Sequence, residues 1–323
     1  MNILFCDEGY SEARRRLARE LPGATISAAP PTAVLERLCG VDVIVPYMAR
    51  IDARIIDAGS FGLIQQFGVG LEGVDVEAAT RAGVWVARVP GAGTGNPESV
   101  AEHALFLMLA LARRFPHTQE HVRARRLGEP AGLALSGKTA CIVGVGSAGA
   151  ALAIRLHAMG MRVIAVRKNL HGTLPSGLVL DRTFPLSELT KAVGEADFVV
   201  VTARYEPDAH HLIGRETLAA MKPGAFIVNV ARGGFIDRDA LANALRSGRL
   251  AGAGLDVVEA EPIPATDPLL ALGAIVTPHV AGVTDVSYEG IARAVAENVR
   301  RYARGEAPLN AVNAPLSARS SMR

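Results

Sequence analysis

The sequence predicts an α/β protein of two doubly wound parallel-sheet domains, the larger inserted into the smaller. Short apolar runs rich in Val and Ile recur along the 323 residues and alternate with helical stretches, the rhythm of parallel sheets covered on both faces. A glycine turn, Gly144-Val145-Gly146-Ser147-Ala148-Gly149, follows one such run and opens a helix rich in small residues. A long apolar helix leaves the first block near residue 98, and an amphipathic helix from residue 287 can return to it. Residues 1–98 and 287–323 then form one domain and residues 99–286 a second, with a cleft between them. At 50% apolar residues, the chain can bury two modest cores.

In order, Ile3–Phe5 reads as a strand and Glu12–Leu21 as a helix ended by Pro22-Gly23. Val41–Val45, Leu63–Phe67 and Val84–Val86 are apolar runs short enough for buried strands. Ala53–Ala58, with Asp52 as its start, and Val76–Arg81 read as helices between them. After the glycine-rich loop Gly91–Pro97 comes the apolar helix Glu98–Ala112, either a strut between domains or a dimer contact. Pro116 follows it, and the 123–134 stretch is polar and irregular. Beyond Leu135, strands are predicted at Cys141–Val143, Arg162–Val166, Phe198–Thr202, Phe226–Asn229, Gly254–Val257 and Ala274–Thr277. Helices fall at Leu186–Val193, Arg215–Ala220, Ala240–Ser247 and finally Ser287–Arg304, and the tail Pro308–Arg323 shows little pattern.

Each glycine of the turn has a separate reason. Gly144 allows the sharp bend, Gly146 removes a Cβ so that N–H groups can approach a pyrophosphate, and Gly149 lets helix and strand pack closely. The helix N-terminus adds unpaired N–H groups and partial positive charge. Strand–turn–helix–strand around this motif points to a dinucleotide; a glycine-rich turn in some other α/β domain, or the related fold that binds S-adenosylmethionine, is the alternative.

Composition excludes other classes. A net charge of +2 leaves no strong nucleic-acid footprint. Arg14–Arg16 is expected on an exposed helix face, and Arg123, Arg125 and Arg126 in solvent. Cys6, Cys39 and Cys141 show neither metal-ligand spacing nor a pairing pattern, so no metal is predicted, and reduced thiols fit the cytoplasm. The N-terminus does not look like a signal peptide. The apolar run Ala104–Ala112 is far short of the roughly 20 residues that span a bilayer.

Three polar residues follow predicted strands of the second domain: Arg232 in Asn229-Val230-Ala231-Arg232-Gly233-Gly234, Glu261 before Pro262, and His279 in Thr277-Pro278-His279. Open α/β sheets bind ligands at the carboxyl ends of their strands. Singly, an Arg on a surface, a Glu facing water and a structural His are ordinary. Beside a dinucleotide turn the combination is a much stronger signal. It resembles the active-site set of the D-isomer-specific 2-hydroxyacid dehydrogenases, and the reduction of a 2-oxo acid that this implies needs a hydride donor, a proton donor and a carboxylate anchor. His279 can supply the proton, Glu261 can fix the imidazole tautomer, and Arg232 can fork onto a carboxylate.

With these residues, Val69-Gly70-Leu71-Glu72-Gly73-Val74-Asp75 and Ser99-Val100-Ala101-Glu102-His103 included, the chain resembles the D-isomer-specific 2-hydroxyacid dehydrogenase family over nearly its whole length. The resemblance implies a Rossmann cofactor domain inserted into a smaller flavodoxin-like substrate domain, and a homodimer. It implies that Arg232, Glu261 and His279 are catalytic, and that N–H groups around Val69 and Gly70 form a second carboxylate clamp. Asp256 would orient the nicotinamide carboxamide, with Thr202, Val230, Ala231 and Gly282 also lining the cofactor.

The second Rossmann strand ends in Arg167-Lys168, where an NAD-preferring enzyme usually carries an acid, so NADP is expected over NAD. The family's usual His-x-Pro-x-Thr is replaced by Thr202-Ala203-Arg204-Tyr205-Glu206, and Arg204 either adds positive charge or widens the pocket. Phosphoglycerate dehydrogenases of the family carry arginines in the loop that here reads Pro46-Tyr47-Met48-Ala49-Arg50. Glyoxylate or hydroxypyruvate is therefore expected before 3-phosphohydroxypyruvate. Related formate dehydrogenases have Gln in place of Glu261. Corepressors that resemble these enzymes keep the same Arg/Glu/His set, so a cofactor-sensing binding protein is the rival of another class. An S-adenosylmethionine-dependent transferase leaves the three polar residues unexplained.

Overall fold

The computed structural model describes residues 1–170, 172, 174 and 177–320. Two compact units are present, Met1–Asn96 with Thr284–Arg323, and Pro97–Val283. The first begins β1 (Asn2–Phe5), α1 (Ser11–Glu20), β2 (Thr25–Ala28), β3 (Val43–Val45), α2 (Ala53–Ala58), β4 (Leu63–Gln65), α3 (Val76–Arg81) and β5 (Trp85–Ala87). Its parallel strands lie in the order β2-β1-β3-β4-β5, the flavodoxin-like winding. β3 and β4 are buried throughout, which is why they stand out as continuous apolar runs. β2 lies at the sheet edge, alternates exposed with half-buried residues, and has no such run to betray it. Asp52 and Asp75 start α2 and α3 by accepting the N–H groups of Ile55 and Ala78.

α4 (Asn96–Ala112) starts two residues before the predicted Glu98, because Pro97 is tolerated in a first helical turn. Ala101, Ala104, Leu107 and Met108 carry one face of α4 into a core of the second unit. The sequence predicts no helix at Pro116; the structure places this proline in the first turn of α5 (Phe115–Arg123), where its missing N–H costs little. The second unit continues with β6 (Thr139–Val143), α6 (Ser147–Ala158), β7 (Arg162–Arg167), β8 (Arg182–Pro185), α7 (Leu189–Gly194) and β9 (Phe198–Val201). It ends with α8 (Arg215–Ala220), β10 (Ala225–Asn229), α9 (Arg238–Arg246), β11 (Leu250–Leu255), α10 (Pro268–Ala271) and β12 (Ile275–Val276).

This seven-stranded parallel sheet has the order β12-β11-β10-β9-β6-β7-β8, a Rossmann winding with one added strand. Its central strands are buried on both faces: Cys141, Val143, Ile164 and Val199 point into one core, and Ala140, Ile142, Val163 and Val200 into the other. β11 runs Leu250–Leu255, earlier than the predicted Gly254–Val257, because Gly252 and Gly254 interrupt its apolar run.

α11 (Asp285–Ala303) returns to the first unit, where Tyr288, Ile291, Val295 and Val299 pack with Phe5 and Leu17. The tail, though patternless in sequence, packs on β5. The N–H of Val312 donates to Val86 O at 2.9 Å, Asn313 Oδ1 accepts the Val86 N–H at 2.8 Å, and the Arg319 N–H donates to Gly83 O at 2.8 Å. Its last residues, 321–323, lie outside the described residues. Arg14 and Arg16 are half-buried rather than exposed: Arg14 donates to the carbonyls of Asp7, Glu8 and Gly9, and Arg16 pairs with Glu12. Only Arg15 of this trio is exposed. Among the described residues, no helix is long and apolar enough to cross a membrane.

Candidate active site

The β6–α6 turn sits where the sheet order reverses, since β6 pairs with both β7 and β9. Gly144 has φ +93°, a conformation L side chains rarely adopt. A Cβ on Gly149 would run into Gly144 O and stand 2.8 Å from Thr202 Oγ1, so only glycine allows this approach. A Cβ on Gly146 would meet nothing within 4 Å. Gly146 is also the N-cap of α6 and offers no side-chain acceptor, so the first N–H groups of the helix stay available. Open space in front of uncapped N–H groups fits a dinucleotide pyrophosphate.

The loops after β10, β11 and β12 leave the same carboxyl edge from adjacent strands. Glu261 and His279 meet there: Nδ1 of His279 lies 2.8 Å from Glu261 Oε2, with side chains 27% and 25% exposed. Glu261 Oε1 accepts the Val258 N–H at 3.0 Å, which orients the carboxylate. His279 has φ +54°, a left-handed conformation in which non-glycine residues are uncommon and His is enriched. With Nδ1 on a carboxylate, Nε2 is left to exchange a proton with a bound group.

What holds His279 in this turn is Asp256. Asp256 is 2% exposed, and its carboxylate accepts the Thr277 hydroxyl at 2.6 Å and the N–H groups of Val280 and Ala281, each at 2.9 Å. His103 Nε2 stands 3.3 Å from the same carboxylate and 2.9 Å from Thr277 Oγ1. Burial pushes the Asp256 carboxyl up, but the hydrogen bonds of His103, Thr277, Ala281 and Val280 outweigh it and hold the group below its ordinary value. Both oxygens are thus occupied within the protein, and Asp256 organises the 277–281 turn. Sequence reasoning gave His103 and Thr277 no role; an imidazole directly before the apolar run of α4 was the available signal.

Arg232 lies at the end of β10, half-buried, and donates from Nη1 to Ala231 O at 2.7 Å. Asn229 shapes its loop, donating to Arg232 O at 2.8 Å and accepting from the Ala231 N–H at 3.0 Å. A Cβ on Gly233 would overlap the Val258 carbonyl and the Glu259 nitrogen, so the Arg232 loop lies directly on the segment leading to Glu261. The cavity beneath these loops, lined by Asn229, Gly233, Ile236, Val258, Glu259 and Ile263 among others, includes none of the three candidate side chains.

The remaining predicted residues divide. Val230 and Ala231 are buried, and Gly282 is half-buried just after the 277–281 turn. Thr202 donates its hydroxyl to Gly144 O at 2.6 Å and so braces the glycine turn. Arg167 ends β7 and donates to Gly172 O at 2.9 Å. Lys168, expected to face the cofactor, is held by Glu206 at 2.6 Å and Asp208 at 3.2 Å, because the loop after β9 presents two carboxylates to it. In the first unit, Val69 is 40% exposed, and Gln66 Nε2 donates to Gly70 O at 2.7 Å. The N–H groups of Val69 and Gly70 find no acceptor among the described residues.

Residues 105–281 match the family model described as the NAD binding domain of D-isomer specific 2-hydroxyacid dehydrogenases. A glyoxylate reductase of Korarchaeum cryptofilum is 36% identical over 296 residues, 88% of this chain and 87% of the relative. A D-3-phosphoglycerate dehydrogenase of Methanocaldococcus jannaschii is 35% identical over 287 residues, 87% of this chain but 53% of its own length. Among solved structures, an NADPH-dependent glyoxylate/hydroxypyruvate reductase from Sinorhizobium meliloti, in complex with NADP and malonate, superposes with a TM-score of 0.82 at 28% identity. That superposition covers 100% of this chain and 99% of the other. With the paired imidazole and carboxylate and the pyrophosphate turn in one parallel sheet, the chain belongs to the D-isomer specific 2-hydroxyacid dehydrogenase family, NAD(P)-dependent oxidoreductases acting on the CH–OH group of their substrates.

Proposed function

We propose that this chain reduces a small unphosphorylated 2-oxo acid, glyoxylate or hydroxypyruvate, with NADPH. The observation that carries this is the 2.8 Å His279–Glu261 pair. In this mechanism His279, its Nδ1 paired with Glu261, holds a proton at Nε2 and gives it to the substrate oxygen as that oxygen becomes an alkoxide. Glu261 stabilises the imidazolium and fixes its orientation. Arg232 binds the substrate carboxylate through its planar fork, and the N–H groups of Val69 and Gly70 are assigned as a carboxylate clamp of the first unit. The glycine turn would hold the pyrophosphate of a nicotinamide dinucleotide, which when bound would supply the hydride. Residues 99–286 hold the dinucleotide and residues 1–98 with 287–323 the substrate.

Arg50 is the lone cation of the Pro46–Arg50 loop, which favours an unphosphorylated acid over 3-phosphohydroxypyruvate. The K. cryptofilum relative, matched over most of both chains, is named a glyoxylate reductase. The NADPH preference draws support from the absence of an acid at the end of β7 and from two cations, Arg167 and Arg204. Arg204 is exposed and makes no hydrogen bond or ion pair among the described residues. Lys168 contributes less, since Glu206 and Asp208 already engage it. We also infer a homodimer, supported by the exposed apolar side chains Phe106, Phe115, Val122 and Leu127 on and after α4. A cytoplasmic setting is supported by three free cysteines, two of them buried.

The test is initial-rate turnover of NADPH and NADH against glyoxylate, hydroxypyruvate, pyruvate and 3-phosphohydroxypyruvate. Fastest kcat/KM on glyoxylate or hydroxypyruvate with NADPH is expected. Best turnover on the phosphorylated acid, or a clear NADH preference, overturns the corresponding part. No NADPH oxidation with any of the four acids would favour a cofactor-sensing binding protein.

A further inference from the structure

Two histidines adjacent in the sequence, and absent from the mechanism above, converge on a carboxylate from another loop. His211 Nε2 is 3.2 Å from Glu259 Oε1, and His210 Nε2 is 3.8 Å from the same oxygen. The candidate donor atoms of the three residues lie within 4.8 Å of one another. Bonds of about 2.0–2.1 Å to imidazole nitrogen and about 2.0–2.2 Å to carboxylate oxygen put neighbouring ligands of a tetrahedral ion roughly 3.3–3.5 Å apart. The two histidine–glutamate distances bracket that range.

The surroundings orient the ligands. Nδ1 of His210 is hydrogen-bonded to the Tyr205 hydroxyl at 2.9 Å, which leaves Nε2 as its donor atom toward Glu259. An outer partner of this kind fixes a metal-bound imidazole in tautomer and direction. His211 is held at φ +53°, and its N–H donates to Gly234 O at 2.8 Å. The two rings stack with centroids 3.8 Å apart and planes 23° from parallel, and the Nε2 atoms of both approach the same Glu259 oxygen. The side chains are 50%, 37% and 40% exposed for His210, His211 and Glu259, which leaves room for a water as a fourth ligand.

From this geometry we propose that His210, His211 and Glu259 form a binding site for one divalent transition-metal ion, Zn2+ by donor set. Two imidazoles and one carboxylate suit zinc with an open position; magnesium and calcium prefer all-oxygen sites. The ion clips the loop after β9, which carries both histidines, to the segment after β11, two residues before Glu261. It is a separate site from the His279–Glu261 pair.

The experiment uses tag-free, chelator-stripped protein titrated with Zn2+ by calorimetry, and with Co2+ while its visible d–d absorption is read. One equivalent per chain is expected, with the absorption of a four- or five-coordinate ion. His211→Ala and Glu259→Gln, each checked for folding by circular dichroism, should weaken binding at least about 10-fold. Zn2+ should raise the melting temperature of the wild type and not of these variants. His279→Ala separates the two clusters: binding retained in it and lost in His211→Ala assigns the ion here. Absence of stoichiometric binding, or binding abolished by His279→Ala and unaffected by Glu259→Gln, overturns the proposal.

Discussion

Replacing Asp256 by Asn tests whether the 277–281 turn, and with it His279, depends on one buried charge. The carboxylate accepts the Thr277 hydroxyl and the Val280 N–H on Oδ1 and the Ala281 N–H on Oδ2. An amide keeps Oδ1 as an acceptor and turns a second donor, Nδ2, toward the Ala281 N–H. A buried donor left without an acceptor costs about 1–3 kcal/mol, and weakening the charge-assisted bonds adds roughly 1 kcal/mol. The expected loss is therefore about 2–4 kcal/mol in the unit Pro97–Val283. For a unit of this size it corresponds to a fall of roughly 4–15 °C in Tm, read by calorimetry at fixed scan rate. The pH dependence has a definite sign. The folded-state value of Asp256 is depressed, so its stabilisation is complete above the ordinary carboxylate range. It is lost as pH falls through the lower native value. The gap in Tm between wild type and Asp256→Asn should be constant from pH 7 down to about 5 and shrink only under strongly acid conditions. Because the Val280 and Ala281 N–H bonds to this carboxylate shape the turn that carries His279, kcat should fall as well. A Tm within 1 °C of wild type at pH 7 would refute this account of the turn.

Four further outcomes follow from the site. His279→Ala and Arg232→Ala should each lower kcat/KM for the 2-oxo acid at least about 100-fold, and near-wild-type turnover removes the assignment. Arg167→Ala should cost about 10–150-fold in kcat/KM for NADPH, the worth of a charge-assisted hydrogen bond, and leave NADH nearly unchanged; equal losses for both dinucleotides count against a 2′-phosphate contact. Gly149→Ala sets a methyl against Gly144 O and 2.8 Å from Thr202 Oγ1, so the KM for dinucleotide should rise and stability fall by about 1–3 kcal/mol. Alkylation at pH 8 should label Cys39 alone in the native protein, because burial pushes the Cys6 and Cys141 thiols up to about 12; modification of either buried thiol without unfolding would contradict their placement.

Much of the fold was legible because buried parallel strands leave apolar runs and helices leave a periodic stripe. β3, β4 and β9 are buried at every position and were visible for that reason. β2 and β8 lie at sheet edges with mixed burial, and α5 begins with a proline that resembles a stop. The tail is held by Asn313 and Arg319 hydrogen bonds to backbone, which no hydropathy pattern records.

The candidate site was legible only as a set of residues just past strand ends. Its internal wiring was not, because the partners are remote in the chain: His103 and Thr277 meet across 174 residues. Asp256 shows the difference this makes. Its buried carboxylate is held by N–H groups of the turn that carries His279, a link that no sequence pattern records. Gly233 was quoted for its motif, but its physical reason appears only when the loops after β10 and β11 touch and leave no space for a Cβ. That contact couples Arg232 to the segment bearing Glu261. A side chain at position 233 must separate the two loops, and the proposed carboxylate anchor and proton-donor pair would then shift relative to each other; a misplacement of about 1 Å is enough to cost about 100-fold in rate.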